Sequence, residues 1–123
     1  MKKIILAIGL FAITLSVIAQ DTALIYRKLD SIAVIDQKVM MPMRDGIRLA
    51  TDIYRPKSEG KYPIVFSRTP YNFNTWVDGK MTTRTLEEAY QAVSRGYAYV
   101  VQNERGRFFS EGEWDILGTP ITD

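Results

Sequence analysis

The sequence predicts an α/β fold, in which an antiparallel strand hairpin precedes a strand, a long loop, a helix and another strand. Two apolar runs, Ile64–Phe66 and Tyr97–Val101, are rich in β-branched and aromatic residues and end in polar, turn-forming residues. The segment between them has a helical pattern that ends at Gly96. Because parallel strands need a long crossover, usually a helix, this order predicts a strand–loop–helix–strand unit of a parallel sheet with buried strands.

The composition excludes several kinds of catalytic site. With 123 residues, 46% hydrophobic and 24% charged, the chain is an ordinary globular one of at most one domain. It contains no cysteine, which excludes a disulfide framework, a thiolate zinc site and a cysteine nucleophile from these residues. It contains no histidine, so neither a Ser-His-Asp triad nor a histidine-rich metal site can be completed within it. We therefore expect no metal and no cofactor.

The charge balance gives no reason to expect a nucleic-acid partner. The net charge is +2, and Lys2 and Lys3 supply both units. Binding to a phosphate backbone depends on an excess of basic residues, and the remainder of the chain has none.

The first 19 residues have the pattern of a secretory signal peptide. A basic start precedes an apolar run from Ile4 to Ile18, and small residues stand three and one positions before Gln20. A membrane anchor is the alternative, but spanning needs about 20 apolar residues and this run is shorter, with no basic stop behind it. We expect cleavage after residue 19 and export to the periplasm or the medium, without a stable membrane anchor.

A polar lead-in, residues 20–33, is predicted to precede the strand hairpin. Its apolar residues have near-helical spacing, so it could form a short helix. Val34–Met41 and Ile47–Tyr54 then alternate apolar and polar residues, which is typical of strands. Asp45-Gly46 lies between them, and this dipeptide favours a hairpin because glycine adopts positive φ without steric cost.

Ser67–Thr82 is predicted to be a long loop. Loops of more than ~12–15 residues in a compact domain are usually functional or disordered. This loop carries Tyr71, Phe73 and Trp76, and we therefore favour a functional role for it.

The predicted helix begins after Thr85, which with Glu88 fits a capping box. Its apolar face has i, i+3, i+4, i+7 spacing and consists of Leu86, Ala89, Tyr90 and Val93. One helix would leave the two parallel strands uncovered on one face and at one edge. We therefore expect residues 34–123 to be the truncated N-terminal part of a larger domain. A complete small α+β module is the alternative.

Three motifs in this order resemble the start of the X-Pro dipeptidyl-peptidase (S15) and cocaine-esterase-like α/β-hydrolases, a group that includes the α-amino acid ester hydrolases. The motifs are Met41–Leu49, Arg68–Asn72, and Arg105-Gly106 with Ser110–Gly112. The resemblance covers about Val39 to Gly112 and implies the N-terminal portion of an α/β-hydrolase fold, with residues 34–123 belonging to a catalytic domain.

The resemblance implies a serine hydrolase that cleaves ester or amide bonds, including X-Pro dipeptidyl bonds, in small-molecule ester or peptide substrates. The nucleophile would lie on a Gly-x-Ser-x-Gly elbow after the next strand, followed by an acid and a histidine. No glycine stands two residues before Ser94 or Ser110, so neither forms such an elbow, and without a histidine the 123 residues alone are expected to be inactive. An exported non-catalytic binding module and an inactive truncated product are the alternatives.

The resemblance also implies a role for Tyr71 as an oxyanion-hole donor, which in this group is a tyrosine hydroxyl. From the residues alone, Tyr71 could instead only pack after a Thr-Pro turn. Asn72, Phe73 and Asn74 provide no carboxylate for a substrate ammonium group, which argues against an α-amino acid ester. Phe73 and Trp76 could line an acyl pocket or pack locally.

Two further polar residues, Asn103 and Arg105, follow the second predicted parallel strand. Arg105 is predicted to tie loop carbonyls and Glu111 together, because arginine offers five donors in a fixed fork. Asn103 stands where the family often has aspartate, so no carboxylate role is expected at that position.

Overall fold

The fold is taken from a computed structural model that describes residues 22–77 and 79–115. The signal peptide predicted for residues 1–19 lies outside the described residues, as does the end of the chain from residue 116. Within the described ranges, no helix has the length and apolar character needed to cross a membrane.

The elements follow the predicted order, with an additional helix and an additional pair of strands. Helix α1 covers residues 22–32 within the lead-in. The remaining elements are β1 (Ala33–Pro42), β2 (Arg48–Pro56), β3 (Ile64–Thr69), β4 (Asn74–Val77), β5 (Lys80–Thr83), α2 (Leu86–Ser94) and β6 (Ala98–Asn103).

Four of the strands form one sheet in the order β1-β2-β6-β3. The predicted hairpin is confirmed: β1 and β2 pair antiparallel, and Gly46 in the turn has φ +85°. The predicted parallel unit is also confirmed, because β3 pairs with β6 from one end to the other, ending at Thr69 opposite Asn103. This register brings the carboxyl ends of β3 and β6 to the same edge of the sheet.

The core lies on the face of the sheet that packs against the helices. Leu86, Ala89 and Val93 of α2 pack in one buried cluster with Tyr54, Leu29 and Tyr99. Leu29 belongs to α1, so the possible helix in the lead-in is real and contributes a fully buried side chain. Side chains alternate along a strand, and Tyr99, Val101 and Asn103 therefore share the face of β6 that packs on this core.

The predicted long loop is partly ordered as a second, two-stranded sheet. Strands β4 and β5 pair antiparallel from Asn74 opposite Thr83 to Val77 opposite Lys80. The backbone N–H of Arg84 donates to the carbonyl of Phe73, and the Phe73 side chain is buried in the core. The irregular part of the loop is thereby reduced to the few residues around Tyr71.

The predicted capping box at the start of α2 is wrong. Thr85 is the N-cap residue, but its side chain makes no capping hydrogen bond. The Tyr99 hydroxyl lies 3.2 Å from Thr85 Oγ1 and donates to Glu88 Oε2 at 2.8 Å. Both side chains of the expected box are therefore engaged by a core tyrosine instead of by the helix backbone.

β6 is buried, as its apolar run predicts, whereas β3 is exposed, which agrees with the expectation that one helix leaves a parallel strand uncovered. Every residue of β6 is buried. Ile64, Val65 and Phe66 of β3 are 63%, 42% and 53% exposed, since within the described residues β3 has a neighbour on one side only. An apolar strand with a free edge is a surface that a further strand would cover.

Candidate functional site

Two segments that leave the same edge of the sheet form the candidate site. Tyr71 lies two residues beyond the end of β3. The segment that follows β6, residues 104–115, is called the β6 loop here. Because β3 and β6 are parallel neighbours, the Tyr71 segment and the β6 loop lie together at the carboxyl edge, where α/β folds bind ligands.

The backbone of Tyr71 is anchored on both sides of its Cα atom. Its N–H donates to Thr69 Oγ1 at 3.1 Å, and its carbonyl accepts from Asn103 Nδ2 at 3.2 Å. The carbonyl of Pro70 accepts from Arg107 Nε at 3.0 Å.

The side chain of Tyr71 is 77% exposed. Among residues 22–77 and 79–115, none hydrogen bonds to its hydroxyl. Local packing after the Thr-Pro turn therefore does not occupy the phenol group, which is available to a group that approaches from outside the described residues.

The β6 loop is held against the sheet by backbone and side-chain hydrogen bonds. Ser110 Oγ donates to the carbonyl of Asn103 at 3.0 Å and accepts from the N–H of Ala50 at 2.9 Å. The N–H of Glu104 donates to the carbonyl of Thr69 at 3.1 Å, and the N–H of Gly106 to that of Glu111 at 2.9 Å. Ser110 is thus a structural residue, in agreement with Phe108 standing where the first glycine of an elbow would be.

The ion pairs of the β6 loop differ from the predicted pair of Arg105 with Glu111. Arg105 donates to Asp45 Oδ2 at 2.8 Å and to Oδ1 at 3.1 Å. Glu111 accepts from Arg48, through its backbone N–H at 2.9 Å and its Nε at 3.0 Å. The hydrogen bond from Arg105 lowers the pKa of Asp45, and that from Arg48 lowers the pKa of Glu111. Both carboxylates therefore tie the β6 loop to the β1–β2 hairpin.

An open cleft of about 410 Å³ lies beside the Tyr71 segment. It is lined by Asn72, Asn74, Trp76, Phe108 and Phe109, that is, by aromatic rings and carboxamides without a carboxylate. Of the two aromatic residues considered for an acyl pocket, Trp76 lines this cleft and Phe73 does not.

A lysine lies near the Phe109 side of the cleft. The ammonium of Lys38 lies 5.6 Å from the ring centroid of Phe109 and 4.6 Å from that of Phe73. It pairs at 2.8 Å with Asp52, whose side chain is buried. Across residues 22–77 and 79–115, no three acidic side chains converge to hold a metal ion.

Comparisons with known proteins identify a family and a relative that this chain resembles. The family model of the X-Pro dipeptidyl-peptidase (S15 family) matches residues 45–123. The cocaine esterase of Rhodococcus sp. (strain MB1 Bresler) is 47% identical over 77 residues, which are 62% of this chain and 13% of the esterase.

Two solved structures resemble the fold at moderate identity. An α-amino acid ester hydrolase is 31% identical with a TM-score of 0.53, over 68% of this chain and 14% of that one. An aminopeptidase from a marine sediment archaeon, Thaumarchaeota archaeon, is 30% identical with a TM-score of 0.54, over 74% of this chain and 17% of that one. The chain therefore spans less than a fifth of the length of each of these relatives.

Proposed function

The chain belongs to the X-Pro dipeptidyl-peptidase (S15) family of α/β-hydrolases, and we propose that it supplies the oxyanion-hole side of an exported serine hydrolase. The observation that carries this proposal is Tyr71: an exposed phenol at the carboxyl edge of the sheet, on a fixed backbone, with no partner among the described residues. In α/β-hydrolases an oxyanion donor comes from the loop after the third strand, which is where Tyr71 lies.

The chemistry that Tyr71 would perform is stabilisation of developing negative charge. When a serine Oγ attacks the substrate carbonyl, the carbonyl oxygen becomes an oxyanion, and a preorganised O–H donor stabilises that state more than the ground state. Collapse of the tetrahedral species expels the alcohol or amine and leaves an acyl-enzyme, which water then hydrolyses.

The remaining catalytic groups are proposed to lie outside these 123 residues, which contain no histidine. The edge of β3 that no strand of the described residues pairs with, and its exposed Ile64, Val65 and Phe66, support this proposal. A further parallel strand paired there would end beside Tyr71, and the nucleophile of an α/β-hydrolase follows such a strand. The isolated chain is proposed to be inactive.

The proposal is tested by purifying the full-length protein from the exported fraction. We expect its N-terminus to be Gln20, which signal cleavage would produce, and we expect it to hydrolyse p-nitrophenyl esters or X-Pro amides until a fluorophosphonate is added. A mature protein that retains Met1 would contradict export. Failure to cleave either substrate class or to react with the fluorophosphonate would favour a non-catalytic binding module.

The cleft beside Tyr71 is proposed to receive an uncharged apolar group of the substrate. Its aromatic walls offer apolar surface, and neither carboxamide can neutralise an ammonium group. Phe109→Ala should raise KM for an aromatic ester about 5- to 30-fold, as expected for loss of about 1–2 kcal/mol of apolar contact, and change kcat little. The control is Tyr97→Ala, an exposed aromatic residue at the opposite end of β6. An unchanged KM, or a preference for the α-amino ester, would contradict this assignment.

A further inference from the structure

We propose that Asn103 and Arg107 are positioning residues that together hold Tyr71 in the orientation needed for the oxyanion. This inference rests on the proposed function. It concerns residues that touch neither substrate nor nucleophile and act through the backbone of Tyr71.

The two contacts fix the peptide units on either side of the Tyr71 Cα atom. Arg107 Nε binds the carbonyl of Pro70, which belongs to the preceding peptide. Asn103 Nδ2 binds the carbonyl of Tyr71, which belongs to the following one. With both peptides held, the direction of the Cα–Cβ bond is set, and the position of the hydroxyl depends only on the side-chain torsions.

Asn103 provides a rigid point of attachment. It is the last residue of β6, is completely buried, and lies in a strand whose residues are all buried. Its Nδ2 faces two carbonyls, that of Tyr71 at 3.2 Å and that of Thr69 at 3.5 Å. An amide nitrogen directed at two acceptors defines the orientation of the side chain, and an aspartate in its place could donate only when protonated.

Arg107 is itself held from three directions. Its guanidinium carbon lies 5.3 Å from the ring centroid of Phe108 and 4.7 Å from that of Trp114. Its backbone N–H donates to the carbonyl of Glu104 at 3.1 Å. Stacking on two rings leaves the planar fork few alternative orientations, and a charged donor makes a stronger hydrogen bond than a neutral one.

The backbone at Phe108 supports the same interpretation. Phe108 has φ +52°, a left-handed conformation that a non-glycine residue rarely adopts. Such conformations persist where the surroundings impose them and are frequent at functional sites. Here the conformation directs the chain so that the ring of Phe108 lies beside Arg107.

The test is a double-mutant cycle in the full-length hydrolase, in which steady-state kinetics are measured for Tyr71→Phe, Arg107→Met and the double variant. Methionine keeps the apolar stem and removes the donor. We expect Arg107→Met to lower kcat roughly 10- to 100-fold with KM within about threefold, because a misplacement of about 1 Å can have an effect of that size. Arg107→Lys, which retains a charged donor, should recover part of the loss. The control Arg95→Met changes an exposed arginine at the far end of the sheet and should be silent.

The double variant separates positioning from general destabilisation. If Arg107 acts through the Tyr71 hydroxyl, Arg107→Met should lower kcat by less than about twofold in the Tyr71→Phe background. An undiminished loss in that background would overturn the inference. Unchanged kcat in Tyr71→Phe alone would instead disprove the oxyanion assignment itself.

A second readout does not depend on activity. Hydrogen–deuterium exchange of the peptide covering residues 69–76 should accelerate in Arg107→Met and Asn103→Ala but not in Arg95→Met. Exchange at the wild-type rate in both variants would contradict a positioning role for Asn103 and Arg107, even if kcat fell.

Discussion

Replacing Tyr71 by phenylalanine should lower kcat of the full-length hydrolase by about 100- to 1,000-fold, the loss typical for one oxyanion-hole donor. The substitution removes one hydroxyl and retains the ring, so substrate binding should change little and KM should stay within about threefold. Since no described residue hydrogen bonds to this hydroxyl, its removal should also leave the thermal stability of the protein unchanged.

Steady-state kinetics with a p-nitrophenyl ester measures this effect. Tyr97→Phe is the matched control, because Tyr97 is also an exposed tyrosine but precedes β6 at the opposite edge of the sheet. A decrease in kcat of less than about threefold corresponds to roughly 0.7 kcal/mol and would exclude Tyr71 as an oxyanion donor.

Gly106→Ala should damage both the fold and the site. Gly106 has φ +66°, and a Cβ atom there would lie 2.6 Å from the carbonyl carbon of Glu113 and 2.9 Å from the carbonyl oxygen of Gly112, as well as against the Trp114 nitrogen. All three are backbone atoms, which cannot rotate away. We expect a loss of about 3 kcal/mol or more in the free energy of unfolding, from backbone strain and overpacking together.

The control for this prediction is Gly46→Ala. Gly46 has φ +85°, but nothing lies within 4 Å of its Cβ position, so this variant carries the backbone strain alone, about 1 kcal/mol. Denaturant unfolding of both variants isolates the steric contribution. Gly106→Ala should also lower kcat, because it displaces the neighbouring Arg107 from the Pro70 carbonyl. Equal stability of the two variants would show that the β6 loop is not packed as described.

The four-stranded sheet could be predicted because the sequence patterns that specify it lie within short segments of the chain. Alternating residues on both sides of Asp45-Gly46 specify the hairpin, and two β-branched runs joined by an amphipathic helix specify the parallel pair. Together with the resemblance, these patterns identified the N-terminal portion of an α/β-hydrolase fold, which the family match and the solved relatives support.

The ribbon β4–β5 was missed because its strands are short and mostly polar. Asp78-Gly79 is a hairpin dipeptide, but the flanking residues show no alternation that would distinguish strands from loop. The ribbon is anchored through long-range contacts: Phe73 packs in the core and Thr82 and Thr83 are fully buried. Sequence patterns do not report such tertiary burial.

The site could be predicted in part. Tyr71 was singled out through the family motif, and the structure places it at the carboxyl edge of the sheet. The sequence predicts that Arg105 binds carbonyl groups of the loop. In the structure Arg107 binds the carbonyl of Pro70, and Arg105 binds the carboxylate of Asp45. The two residues look alike in the sequence, and what separates them is the left-handed turn at Gly106 between them.

The central claim is tested most directly by a crystal structure of the full-length protein inactivated by a phosphonate ester, which mimics the tetrahedral intermediate. We predict a bond from phosphorus to the Oγ of a serine outside residues 1–123, with a phosphoryl oxygen about 2.7–3.1 Å from the Tyr71 hydroxyl. Phosphorus on one of the serines of this chain, or a phosphoryl oxygen bound by other donors with Tyr71 directed away, would contradict the account.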